Sequence, residues 1–482
     1  MNVGDRIILQ TPRGPYEGII MPRTEHGDGY HIVMKLVNGY NVGIRITGTE
    51  TIENLESSQD VGVYKGREPI FDESKPTFSI LHTGGTIASR VDYKTGGVVP
   101  AFTPEEILEL FPELEEVGNF RAYLVSNMFS EDIEYEHVVS LARGIEKELE
   151  LGTTGVVITH GTDTMHISSA ALSFIAQKLP VPAIFVGSQR SSDRGSSDAK
   201  MNLMSAARFA TGADFAGVGL CMHESMEDDA CFIHEGTKVK KMHSSRRDSF
   251  RSINQVPFAR VWQDGRVAWL REDHARRDLD RTPEFYFEFE EKVALVKSYP
   301  GFQAEIIRYL TNTGYRGIVF EGTGLGHVPL NVLDEYTAHH SEILKAITEF
   351  VENGGTAVMT SASLFGRVSM NVYSTGRYLQ SAGVIPGEDM MSEVALVKLK
   401  WVLGQTTDPK EAAEMMITNY AGEIAERTTS NVFYYQLPRT DRETAHKWNT
   451  TDTGPPVDDI DTASEDIIPD DDTPAISNPG SE

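Results

Sequence analysis

Cysteine is almost missing from this chain. Cys221 and Cys231 are the only two in 482 residues, too few for a disulfide framework or a zinc site. Long apolar runs are missing as well, and without a stretch of about 18 apolar residues no membrane-spanning helix is expected. The opening residues, Met1 to Arg6, have neither a basic region nor an apolar core behind it, so no secretory signal is read there. These shortages lead to the expectation of a cytoplasmic protein that binds no metal.

Positive charge is the other shortage. Lys and Arg number 44 against 71 Asp and Glu, a net charge of −27. Ten of those acids lie in residues 451–482, which contain no Lys or Arg, so the rest of the chain carries −17. Such a surface is not the footprint of a protein that grips nucleic acid by itself. It suits a soluble protein in a salty cytoplasm, where ions screen the self-repulsion.

What is present is enough for sizeable cores: 40% hydrophobic and 9% aromatic residues. The length calls for two or three domains. Residues 1–50 read as a small β-barrel domain with strands at 5–9, 16–21, 31–37 and 40–46, the last two joined at Asn38-Gly39, a strong hairpin signal. Residues 51–76 are polar, lack periodicity and read as a linker. From residue 77 strands and helices alternate, which predicts doubly wound parallel sheets. The strands fall at 77–81, 155–159, 183–187 and 217–222, with helices at 135–149, 165–177 and 200–210. Residues 257–290 read as an edge hairpin and a connection, closing a first α/β domain over 77–290. A smaller one follows over 291–447, with strands at 293–298, 317–321 and 356–361 and helices at 303–313, 342–353 and 410–418. The remainder, 448–482, with its acids and five prolines, cannot bury enough apolar surface to order itself.

The chain is organised around residues 77–89. The strand Thr77-Phe-Ser-Ile-Leu81 opens into His82-Thr-Gly-Gly-Thr86, and open α/β sheets bind ligands at the carboxyl ends of their strands. Glycines there let the backbone turn sharply, and amides beside a hydroxyl suit an oxyanion site next to a nucleophile. A second strand, Gly155-Val-Val-Ile-Thr159, runs into His160-Gly-Thr-Asp-Thr164 just before a helix. That places a hydroxyl and a carboxylate side by side. His82 and His160 lack the partner four residues on that a helical metal site would show. Gly322-Thr-Gly-Leu-Gly326 follows a strand, and the family resemblance named next implies a second-domain turn there, so a dinucleotide loop is not read from it.

The pair TGGTIAS and THGTDT resembles the two signature motifs of the asparaginase/glutaminase family of amidohydrolases, in the family's order. The resemblance implies a two-domain asparaginase-like fold and assigns roles residue by residue. Thr86 matches the primary nucleophile, and Thr162 and Asp163 match the second threonine and its aspartate. Lys241, counted back from Phe250 in the segment 237–252, matches the family's lysine, with Lys238 and Lys240 close by. An ammonium desolvated beside Thr162 can give up its proton and act as base, with Asp163 orienting it or the substrate's α-amino group. Ser130 matches the segment that binds the substrate α-carboxylate. Tyr93, in the loop 89–100, is the candidate for the loop tyrosine of type II bacterial asparaginases, at shorter spacing.

The front β-domain and the segments 244–254 and 364–377 resemble, more narrowly, the D subunits of archaeal glutamyl-tRNA(Gln) amidotransferases, over about residues 1–440. The resemblance implies a glutaminase that releases ammonia from L-glutamine, with L-asparagine as the alternative substrate. It implies an E-type partner that uses ATP and Mg to activate Glu-tRNA(Gln) and makes most of the tRNA contacts. This chain itself is expected to bind no cofactor. A homodimer within a heterotetramer is implied, with His327 standing where asparaginases carry an asparagine that reaches the neighbouring protomer's site. The other readings are a free-standing L-asparaginase/glutaminase and a non-catalytic assembly scaffold.

Overall fold

The computed structural model describes residues 5–20, 30–36, 41–56, 71–85, 87, 89–91, 98–100, 107–108, 110–192, 195–428 and 432–433. Thr86, Tyr93, the Asn38-Gly39 turn and the acidic tail lie outside the described residues.

The first strands alternate buried and less buried residues, the period of a half-buried sheet. Ile7, Leu9, Ile20, Ile32 and Met34 form their own core. The sheet is antiparallel and five-stranded, in the spatial order Asn41–Arg45, His31–Leu36, Gly14–Ile20, Arg6–Thr11, Thr51–Glu56. Its last strand falls where the sequence reads the start of a linker. Leu9 pairs with Ile52 and Gln10 with Thr51. Backbone pairing does not need apolar side chains, and Ile52 and Leu55 stay exposed, so this strand carries a linker's composition.

The large sheet has eight strands, in the order Val267–Trp269, Ala259–Trp262, Ala230–Glu235, Gly217–His223, Pro182–Val186, Val156–Thr159, Thr77–Gly84, Asn119–Met128. The last five in that order run parallel, while the first three join by antiparallel pairing. The inner parallel strands are mostly apolar because both faces are covered, whereas the edge strand Asn119–Met128 is more exposed. Leu81, Ile158 and Phe185 point into one core with the helices Tyr135–Glu150 and Met165–Ile175. Ile80, Val157 and Ile184 point into the other with the helix Ala199–Gly212.

The smaller lobe is a four-stranded parallel sheet, Val293–Lys297, Gly317–Gly322, Thr356–Ser361, Ile385–Pro386. The helices Glu305–Asn312 and His340–Glu352 cover one face. Its other face is covered by the helix Ser392–Gln405, whose residues join the first core of the large sheet: Val319, Val358, Val397 and Trp401 share a cluster with Leu81 and Phe174. The two lobes therefore share one hydrophobic core. Among the described residues no helix is long and apolar enough to cross a membrane.

Candidate active site

The chain leaves Thr77–Gly84 to build Asn119–Met128 on one side, then returns to build Val156–Thr159 on the other. The crevice beyond the carboxyl ends of strands that diverge in this way is where open α/β sheets bind ligands. Both sequence motifs sit there. Gly85 has φ +85°, and a Cβ on it would lie 2.7 Å from the amide nitrogen of Gly161. A Cβ on Gly161 would lie 2.8 Å from Cβ of Ser130. Only glycine lets these three loops meet. Thr83 is committed to structure, its hydroxyl donating to the Thr159 carbonyl at 3.0 Å. Gly85 and the fully buried Ile87 bracket Thr86, which lies outside the described residues, as does Tyr93. The loop 89–100 that carries Tyr93 is closed at its base by antiparallel pairing of Ser89 with Pro100 and Val91 with Val98.

The structure brings Thr162, Asp163 and Lys241 together. Lys241 ends the strand Val239–Lys241, paired directly opposite Phe250, the residue from which the sequence count began. Its Nζ donates to Oγ1 of Thr162 at 2.8 Å and to Oδ1 of Asp163 at 2.8 Å. The Lys241 side chain is 8% exposed and that of Asp163 69%, so a buried cation meets a carboxylate open to the crevice. Lys238 and Lys240 point elsewhere: Lys238 bonds Asp389 at 2.7 Å in a buried pair, and Lys240 pairs with Glu393. Ser130 is buried in the turn Ser130–Asp132, and its carbonyl accepts the Thr164 hydroxyl at 2.5 Å. It thus stands against the second motif.

The two motif histidines hold the loops. Burial lowers His82 to about 4, with His160 adding to it, and burial lowers His160 to about 4. His82 Nδ1 lies 2.5 Å from the Thr159 hydroxyl, and His160 lies 2.7 Å from the Gly161 carbonyl and 2.9 Å from the Ser168 hydroxyl. Among the described residues no group of three or more His, Cys, Asp or Glu is placed to hold a metal. His327 hydrogen-bonds Thr375 at 3.1 Å and packs edge-on to Tyr373.

Sequence reasoning missed the support behind these residues. Asp198, fully buried, accepts the backbone amides of Gln189 and Arg190 and so fixes the loop after Pro182–Val186. That loop abuts Thr162, since a Cβ on Gly187 would lie 2.8 Å from Thr162 Cγ2. Asn254, at φ +59°, exchanges hydrogen bonds of 2.8 and 2.9 Å with the backbone of Gly366. The segments 244–254 and 364–377, 112 residues apart at this contact, therefore meet across the lobes. A non-glycine residue with positive φ was the one local oddity that could have marked this position, and it is invisible in sequence.

The profile described as Asparaginase, N-terminal, matches residues 77–275, and that described as Glutaminase/Asparaginase C-terminal domain matches 292–416. A GatD N-terminal domain profile matches residues 1–55. Among solved structures, the thermostable L-asparaginase from Thermococcus kodakarensis is 32% identical with a TM-score of 0.65, covering 72% of this chain and 99% of that one. L-asparaginase I from Vibrio cholerae is 25% identical with a TM-score of 0.62, covering 73% and 99%. The D subunit of the glutamyl-tRNA(Gln) amidotransferase of Pyrococcus furiosus is 48% identical over 442 residues, 90% of this chain and 97% of that one. The protein of the same description from Methanothermobacter thermautotrophicus is 47% identical over 434 residues, covering 90% and 96%. Likeness to asparaginases extends over both α/β lobes, whereas likeness to the D subunits takes in the N-terminal sheet as well, and the chain belongs to the family of glutamyl-tRNA(Gln) amidotransferase D subunits.

Proposed function

We propose that this chain hydrolyses L-glutamine in the cytoplasm and supplies the ammonia with which an E-type partner, using ATP and Mg, converts Glu-tRNA(Gln) to Gln-tRNA(Gln). In this reading the Thr86 hydroxyl attacks the side-chain amide carbon. Its proton passes by way of Thr162 and Lys241 to the departing nitrogen, the carbon–nitrogen bond breaks, and ammonia leaves. Water then hydrolyses the threonyl ester to glutamate and restores Thr86. Asp163 holds the substrate's α-amino group and Ser130 faces its α-carboxylate, with Tyr93 assisting from its loop. The observation that carries the proposal is the ammonium of Lys241 placed 2.8 Å from both Thr162 and Asp163. A hydroxyl held by an amine and flanked by an open carboxylate is the machinery this chemistry requires, and a mere scaffold has no use for it.

A free-standing L-asparaginase is the second reading, favoured by the L-asparaginase structures that both lobes resemble. Ammonia release from glutamine by the chain with its partner tests the chemistry. Thr86→Val keeps the side-chain shape and should lower the rate more than about tenfold, a barrier rise above about 1.4 kcal/mol, with melting temperature nearly unchanged. A variant that keeps more than about a tenth of the rate would point to another nucleophile.

A further inference from the structure

Lys241 owes its place to a weak element. The strand Val239–Lys241 is three residues long and, among the described residues, pairs only with Phe250–Ser252, and residues 242–246 beyond it are exposed. A two-stranded ribbon of this size does not hold itself still in water. Yet a displacement of about 1 Å at a reacting group costs on the order of a hundredfold in rate. Burial of Val239 and Phe250 in the shared core holds the ribbon in part, and further polar contacts along it come from the smaller lobe.

Thr237 donates to the Ala421 carbonyl at 2.9 Å, and Lys238 donates to Asp389 at 2.7 Å. Lys240 faces away from Lys241, as neighbours in a strand do, and pairs with Glu393 in the first turn of Ser392–Gln405. Glu393 also lies 3.7 Å from Nε2 of His166, in the first turn of the helix that follows Thr162 and Asp163. One carboxylate thus touches the residue next to Lys241 and a residue three beyond Asp163. Burial pushes Glu393 up, but His166 and Lys240 outweigh it and hold its carboxyl at about 2, so the link is charged throughout the working range. Desolvation leaves a partly buried ion pair with little net stability to offer, whereas charge-assisted contacts fix geometry well.

We propose that Glu393 is a positioning residue of the hydrolytic reaction: by bridging Lys240 and His166 it sets the contact between Lys241 and Thr162, and so makes the smaller lobe part of the catalytic apparatus. This rests on the assignment of Lys241 and Thr162 given under Proposed function.

The test is a cycle of Glu393→Gln and Lys241→Met in the full chain with its partner, assayed for ammonia release from L-glutamine. Glu393→Gln is expected to lower kcat by about ten- to a hundredfold with KM within about twofold, because the substrate's own contacts are untouched. In the Lys241→Met background the same change should cost nothing further. Lys240→Met removes the bridge from its other end and takes the place of Glu393→Gln if that variant does not fold. A kcat for the bridge variants within about threefold of wild type, or an equal loss in both backgrounds, would overturn the proposal. If Lys241→Met itself turns over like wild type, the site assignment fails, and the positioning role with it.

Discussion

Three lysines crowd the four residues 238–241, yet only the ammonium of Lys241 reaches the second motif; the others are held by Asp389 and Glu393. The family resemblance of segment 237–252, counted back from Phe250, pointed to Lys241, and the two residues pair directly in the ribbon. The carboxylates that occupy the neighbours of Lys241 were not legible. They lie about 150 residues away and no local pattern marks them, since long-range pairing leaves no trace in a window of sequence. The buried histidines carry a prediction at this scale. The folded chain holds His82 and His160 near 4, against an ordinary 6.5. Below about pH 6.5 the unfolded chain therefore takes up protons that the folded chain refuses, and stability should fall as pH drops from about 6.5 to about 4. Urea midpoints of wild type and His82→Gln between those limits check this. The wild-type curve should fall more steeply, and parallel curves would show that His82 titrates alike in both states.

Among the elements, the strands Thr77–Gly84 and Val156–Thr159 were plain because both faces are covered and their residues are mostly apolar. The helix Ser392–Gln405 went unread for a related reason. It is buried on nearly all sides, Lys398 included, so it has no polar face to reveal a helical period. Lys398 is satisfied by Glu423 at 2.6 Å and by the carbonyls of Met416 and Thr418. Asn119–Met128 escaped because it is an edge strand with Tyr123 and Leu124 exposed, which blurs the alternation. Trp401 gives the measure of what the helix contributes. It is 2% exposed, stacks on Phe174 with ring centroids 5.7 Å apart, and meets Tyr420 edge-on. Trp401→Ala should cost about 3–5 kcal/mol in urea unfolding; a loss under about 1 kcal/mol would mean that the lobes do not depend on this shared core.

At the scale of the molecule, two α/β lobes joined through one core hold the candidate site, and the lobe that does not carry the motifs pairs with Lys238 and Lys240 beside Lys241. The acidic tail lies outside the described residues, and its composition argues for a role in solubility alone. A chain ending at Lys447 should keep its turnover and lose solubility first at low salt, and a large drop in activity at high salt would show instead that the tail docks on the body. In the proposed function, release of ammonia is wasteful unless an acceptor is waiting, so the isolated chain is expected to idle. A site completed only when a partner loaded with Glu-tRNA(Gln) binds is the switch we expect. The decisive measurement is glutamine hydrolysis by the purified chain alone, then with the E-type partner, then with partner, Glu-tRNA(Gln) and ATP. A low rate that rises on the order of a hundredfold across the series is expected, whereas a rate already full in the isolated chain and unmoved by the additions would rule out the coupling and leave a free-standing amidohydrolase.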